Sequence, residues 1–134
     1  MKLTPELLSL AQIATATQLM WLPHVLERMM AQGVFGAMGN AAPLAAVGRA
    51  WARRSRLAHD NAIVNLAVFA ALVLTAAVAG ISTPATVVAA QVYVGARLLH
   101  YVAYTAGIPG VRTVSFLTGV GAALVFPAAI FAAA

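Results

Sequence analysis

From Arg49 to Phe69 the chain reads RAWARRSRLAHDNAIVNLAVF, four arginines running at once into an apolar helical segment. An ionised guanidinium is costly inside hydrocarbon. The apolar residues after Asn61 are costly to leave in water. A chain with this junction must hold its arginines at an interface and send the adjoining apolar segment into an apolar medium. A protein core is too small to be that medium. The 134 residues are 63% hydrophobic and 8% charged, whereas a soluble domain carries about a quarter charged residues. Lipid is therefore the expected solvent. The length suits one domain, residues 1–134, and about four spans of roughly 20 residues each.

The same numbers exclude other classes. Eight Lys+Arg face three Asp+Glu, for a net charge of +5. In a soluble protein that balance would suggest nucleic acid. Beside apolar spans it serves topology, anionic lipid or an anionic ligand instead, and no nucleic-acid partner is expected. There is no cysteine, so any thiol chemistry must use a thiol that arrives from outside. Histidines at 24, 59 and 100 are scattered and carboxylates are few, which argues against a metal site. Gln12, Thr15 and Gln18 interrupt the apolar N-terminal segment, so it reads as a retained span and not as a cleaved signal.

Helix signals divide the chain into four spans, approximately 4–30, 50–79, 84–106 and 112–133. Thr4 and Pro5 suit the start of the first, and Pro23 predicts a kink within it. Residues 31–48 hold four glycines and Pro43 and read as the longest connection. Gly80 stops the second span. Ser82 or Thr83 caps the third, with Pro84 in its first turn. Spacings of three and four put Tyr93, Arg97, Tyr101 or His100, and Tyr104 on one face. An arginine embedded in a span is a functional-site signal, with snorkelling to the interface as the plain alternative. Arg112 comes just after the turn at Gly107–Gly110. It opposes the helix dipole there unless an anion sits beside it. The positive-inside rule places the arginine-rich loop and the Arg112 turn in the cytoplasm, in an inner-membrane, multi-pass arrangement. That topology brings Arg28, Arg56, Arg97 and Arg112 to one membrane face as an anion site. Asp60 can neutralise one arginine of the group.

Two blocks carry a resemblance to a known family. The first is Arg56-Leu-Ala-His59-Asp-Asn61 with Asn65 and Phe69. The second is Gly95-Ala-Arg97-Leu-Leu-His100-Tyr-Val-Ala-Tyr104 with Pro109 and Arg112. With Trp21-Leu-Pro23 to Glu27-Arg28, they resemble the MAPEG superfamily, the membrane-associated proteins of eicosanoid and glutathione metabolism, and its bacterial members above all. The resemblance implies an all-α, integral membrane four-helix bundle assembled as a homotrimer, with glutathione between subunits. Carried over by position, the glutathione contacts are Arg28, Arg56, Asn61, Arg97 and Tyr104. Arg112 matches the arginine that stabilises the thiolate, and His59 is more structural than ligand-binding. The implied activity is a glutathione-dependent transferase or peroxidase acting on lipophilic electrophiles or hydroperoxides that arrive through lipid. One position departs from the family: the motif glutamate is Val64 here. Its loss implies weaker or altered glutathione binding. It also keeps open a non-catalytic protein that grips anionic lipid or another anion. The spans show no inverted repeat or broken midplane helices, so a transporter is disfavoured.

Overall fold

The computed structural model describes residues 2–40 and 48–134. Among the described residues all regular structure is helical: α1 (Pro5–Leu19), α2 (Leu22–Ala37), α3 (Ala50–Val78), α4 (Pro84–Ala106) and α5 (Pro109–Ala133). The α4–α5 pair packs most extensively, and α1 and α3 both lie against α4. Of the five helices, α3 and α5 are long and apolar enough to cross a membrane on their own.

The ends of the helices follow from local chemistry. Thr4 Oγ1 accepts from the Leu7 N–H at 3.3 Å, and Pro5 occupies the first turn. Thr83 and Thr86 close a reciprocal cap. Thr83 Oγ1 accepts from the Thr86 N–H at 3.2 Å, and Thr86 Oγ1 accepts from the Thr83 N–H at 2.8 Å. Gly80, at φ 71°, ends α3 in a Schellman turn. There the Ile81 N–H bonds to the Ala76 carbonyl at 2.8 Å, and the Gly80 N–H to the Ala77 carbonyl at 3.1 Å. Gly107, at φ 79°, ends α4 in the same way. Ser82, a possible cap by sequence, instead donates to Glu6 Oε1 at 2.9 Å.

The kink expected at Pro23 divides the first segment into α1 and α2 by a turn at Met20–Trp21, both of which keep right-handed helical dihedrals; the Pro23 ring conflicts with the carbonyl of Leu19 and supplies no N–H to it. The helices depart from expectation in two places. Beyond residue 30, α2 continues to Ala37, through residues expected to belong to the connection, with Gly33 at φ 72° as a local break. Residues 41–47 of that connection lie outside the described residues. The last helix starts at Pro109, so Arg112 sits in its first turn with its N–H already bonded to the Ile108 carbonyl at 3.0 Å.

The apolar core lies between α1, α3, α4 and α5. Phe69 stacks on Tyr93 with ring centroids 3.7 Å apart, and Phe126 meets Phe69 edge-on at 5.7 Å. Ile13, Val73 and Ala90 complete the buried cluster. Burying one such side chain contributes about 1.5–3 kcal/mol. Small residues at Ala76, Ala89, Ala90 and Ala122 let the helix backbones approach. At one end of this core, Glu6 is buried and joins α1 to α4. Its Oε1 accepts from Thr86 at 2.6 Å. The arginines gather toward the other end.

Candidate functional site

The site lies where α4 ends, α5 begins and the first half of α3 passes beside both. Arg97, on α4, is 3% exposed. Its Nη2 donates to Asn61 Oδ1 on α3 at 2.6 Å. Asn65 steadies that amide: its Nδ2 donates to the Asn61 carbonyl at 2.9 Å and reaches Asn61 Oδ1 at 3.4 Å. Arg97 Nη1 is equally buried and has no partner among the described residues.

The stem and plane of this guanidinium are held by α5. A Cβ placed on Gly119 would come within 3.1 Å of Arg97 Cδ, so only glycine leaves the stem its present path. Arg97 Cζ lies 5.8 Å from the centre of the Phe116 ring. His100, one turn along α4, packs on that same ring at 5.7 Å. His100 Nδ1 is 2.9 Å from the Arg112 carbonyl. A carbonyl can only accept, so Nδ1 carries the hydrogen and Nε2 keeps a lone pair in the neutral ring. Nε2 is buried without a partner among the described residues. Tyr104 meets the His100 ring edge-on at 5.6 Å, and Arg112 Cζ lies 4.8 Å from the Tyr104 ring centre. A continuous path of contacts thus runs from Asn61 through Arg97, Phe116, His100 and Tyr104 to Arg112.

The remaining arginines are placed differently. Arg28 Nη2 donates to the carbonyls of Gly39 at 3.1 Å and Asn40 at 3.4 Å, just past the end of its own helix. These bonds hold it at that turn. Arg56 is half-buried on α3, one turn before His59, whose ring lies 5.7 Å from that of His24. Arg53 Nη1 donates to the Gly48 carbonyl at 2.6 Å, and the Arg49 N–H donates to Glu27 Oε1 at 3.0 Å. Asp60 is exposed.

Several residues escaped the sequence reading. Arg54 Nε donates to the Thr105 carbonyl at 3.0 Å, and its guanidinium packs on Gly107. It satisfies the end of α4, where the helix dipole favours a cation. An arginine on the helix antiparallel to a glycine-terminated one is the signal that could have found it. Tyr101 leaves the expected binding stripe: its hydroxyl lies 2.8 Å from Ser55 Oγ and donates to the Met20 carbonyl at 3.1 Å. That bond closes the turn between α1 and α2. Tyr93 also leaves the stripe, because it belongs to the aromatic core. Phe116 and Gly119 carried no polar signal at all.

Two hollows lie nearby. A groove of about 650 Å³ runs between α4 and α5, lined by Val92, Gly95, Leu99, Val111 and Val114 among others. A second, of about 410 Å³, is bounded by Pro23, Glu27, Met30, Arg49 and Trp51. Neither is lined by Arg56, Arg97 or Arg112.

The chemistry available is that of a desolvated cation with one unpartnered nitrogen, a second cation beside a tyrosine ring, and a histidine lone pair. Such a group attracts oxyanions or a thiolate. Searches of the curated proteins and of the solved structures found no match. The family model of the MAPEG family matches residues 8–132. That match spans nearly the whole chain and includes both arginine-bearing blocks. The chain therefore belongs to the MAPEG family and is a membrane protein of the glutathione and eicosanoid metabolism superfamily.

Proposed function

We propose that the protein is a glutathione-dependent transferase or peroxidase that acts on lipophilic electrophiles or hydroperoxides at the cytoplasmic face of the inner membrane. The observation that supports it most is Arg97. A guanidinium that is 3% exposed, bonded to a neutral amide and left with an unpartnered Nη1, calls for an anion from outside the chain. Glutathione supplies carboxylates for Arg97 and Arg56 and a thiol for Arg112. A free thiol has a pKa near 8.5, and an adjacent cation lowers an acid's pKa by about 1–3. Arg112 is the group assigned to that task. Tyr104, beneath it, orients the sulfur.

In this reading four spans cross the membrane, with α1 and the start of α2 together forming the first. Three copies assemble, and the ligand lies between them. Arg28 and Arg56, which do not join Arg97 within one subunit, act across that boundary. An apolar second substrate reaches the thiolate from lipid. The decisive measurement is thiolate absorbance on adding glutathione to the wild-type protein and to Arg112→Ala. A thiolate signal in the wild type that is lost in the variant supports the proposal. No binding at millimolar glutathione overturns it.

Val64 favours one rival. It stands, 68% exposed, where the family pattern carries a carboxylate, which suits a non-catalytic protein that grips anionic lipid. Val64→Glu separates the two. An enzyme gains glutathione affinity from the substitution, and a lipid binder does not respond.

A further inference from the structure

The polar residues that interrupt the apolar N-terminal segment belong to no part of the anion site. Gln12, on α1, and Gln91, on α4, are both exposed, and neither makes a side-chain hydrogen bond among the described residues. The fold fixes their depth. Glu6 accepts from Thr86 at one end of the bundle. The Tyr101 hydroxyl bonds to Ser55 and to the Met20 carbonyl at the arginine end. α1 and α4 therefore run parallel and level. At 1.5 Å per residue, Gln12 lies about 9 Å beyond Glu6 and Gln91 about 7.5 Å beyond Thr86, so the two amides stand at nearly one depth. Gln12 is also about 12 Å short of Met20, within a hydrocarbon layer about 30 Å thick. A primary amide on a two-carbon stem reaches neither headgroup layer from there.

Lipid offers an amide no hydrogen bond, and a polar group without one is costly in an apolar medium. A covering of protein removes that cost. The two glutamines do not supply it to each other within one copy, because Gln91 sits about 160° round α4 from the core residue Tyr93. Beside Gln12 a hollow of about 480 Å³ is lined by Ala11, Thr15, Ala16 and Leu19. Thr15 is already bonded to the Ala11 carbonyl at 2.8 Å, so Gln12 holds the open polar group there. Beside Gln91, Val88 and Gly95 share its face at spacings of three and four, and a Cβ on Gly95 would meet nothing within 4 Å. Small residues on both faces let two helices approach. An amide is donor and acceptor at once, so each glutamine complements the other. We propose that α1 of one copy docks on α4 of the next, with Gln12 bonded to Gln91 across the boundary. Two different faces then meet, in the head-to-tail kind of contact that closes into rings. This rests on the four-span, three-copy reading and adds which faces and which residues join the copies.

The test follows mass against concentration for the intact protein in detergent. Gln12→Leu and Gln91→Leu change exposed side chains and leave the core of each copy intact. Each should raise the concentration of half-assembly about threefold or more, the size of effect that one interhelical hydrogen bond in a membrane supports. The double variant should be no weaker than the weaker single one, because both changes remove the same bond. Additive losses in the double variant, or no loss in either single one, overturn the docking and leave the three-copy reading standing. A wild-type protein that is monomeric at every concentration overturns both. Cysteine gives an independent arm, since the chain has none. The chain carrying Gln12→Cys together with Gln91→Cys, treated with a short bis-maleimide, should yield linked dimers and trimers, and neither single variant should. Linkage in a single variant, or none in the double one, overturns the docking.

Discussion

Arg97 Nη2 and Asn61 Oδ1 lie 2.6 Å apart, and this bond joins α3 to α4 at a guanidinium whose residue is only 3% exposed. Hydrogen bonds to charged groups contribute about 1.5–3 kcal/mol, and a buried donor left without its acceptor costs a similar amount. Asn61→Ala should therefore lower stability in detergent by about 2–3 kcal/mol. Asn61→Asp should hold or raise it, because it replaces a neutral acceptor by an ionised one. Denaturant unfolding of both variants checks this. Equal losses in the two would show that the bond does not support the bundle.

Gly119 leaves room for the Arg97 stem, since a Cβ at this position would stand only 3.1 Å from Cδ. Gly119→Leu should overfill the site and destabilise by about 1–3 kcal/mol. The alanine variant sets two effects against each other: helix propensity improves by about 1 kcal/mol, while Arg97 must move by a few tenths of an ångström. Its stability should stay near wild type while its affinity for an anionic thiol falls. Titration of Gly119→Ala is the check, and an unchanged Kd would refute the role given to the glycine.

Tyr93 should behave as a core residue. Its ring stacks on Phe69 at 3.7 Å, and its hydroxyl is buried without a partner among the described residues. Tyr93→Phe keeps the stack and removes the unpaired group, so stability should be unchanged or higher by about 1 kcal/mol. Phe69→Ala should cost about 3–5 kcal/mol. If Tyr93→Phe instead weakened thiol binding without altering the unfolding curve, the tyrosine would return to the binding stripe.

The glycines that end α3 and α4 offer a paired measurement. Gly80 and Gly107 hold φ 71° and 79°, where an alanine costs about 1–2 kcal/mol. A Cβ on Gly80 meets nothing within 4 Å, whereas one on Gly107 comes within 3.1 Å of Arg54 Cζ. Gly107→Ala should thus be the more destabilising, since it also loosens the arginine that donates to the Thr105 carbonyl. Unfolding midpoints in the reverse order would exclude that role for Arg54.

The sequence by itself determined the apolar character of the chain, several of the helix ends and the residue types available to a site. Hydropathy and the placing of charge are sums over neighbouring residues, and caps such as Thr4, Thr83 and Gly80 act within one turn, so short-range chemistry decides them. It also determined that no cysteine and few carboxylates could serve at the site. Only the tertiary structure decided which arginine does what. Arg28, Arg54, Arg56, Arg97 and Arg112 are alike in one dimension. Burial against Asn61 sets Arg97 apart, a helix end claims Arg54, and a backbone turn claims Arg28. The stripe on α4 divided for the same reason. A helix face is wider than one neighbour, so Tyr93 met the Phe69 core while Tyr101 turned to Ser55 and Met20. Partner choice across helices depends on how α3, α4 and α5 cross, and no local spacing encodes that angle.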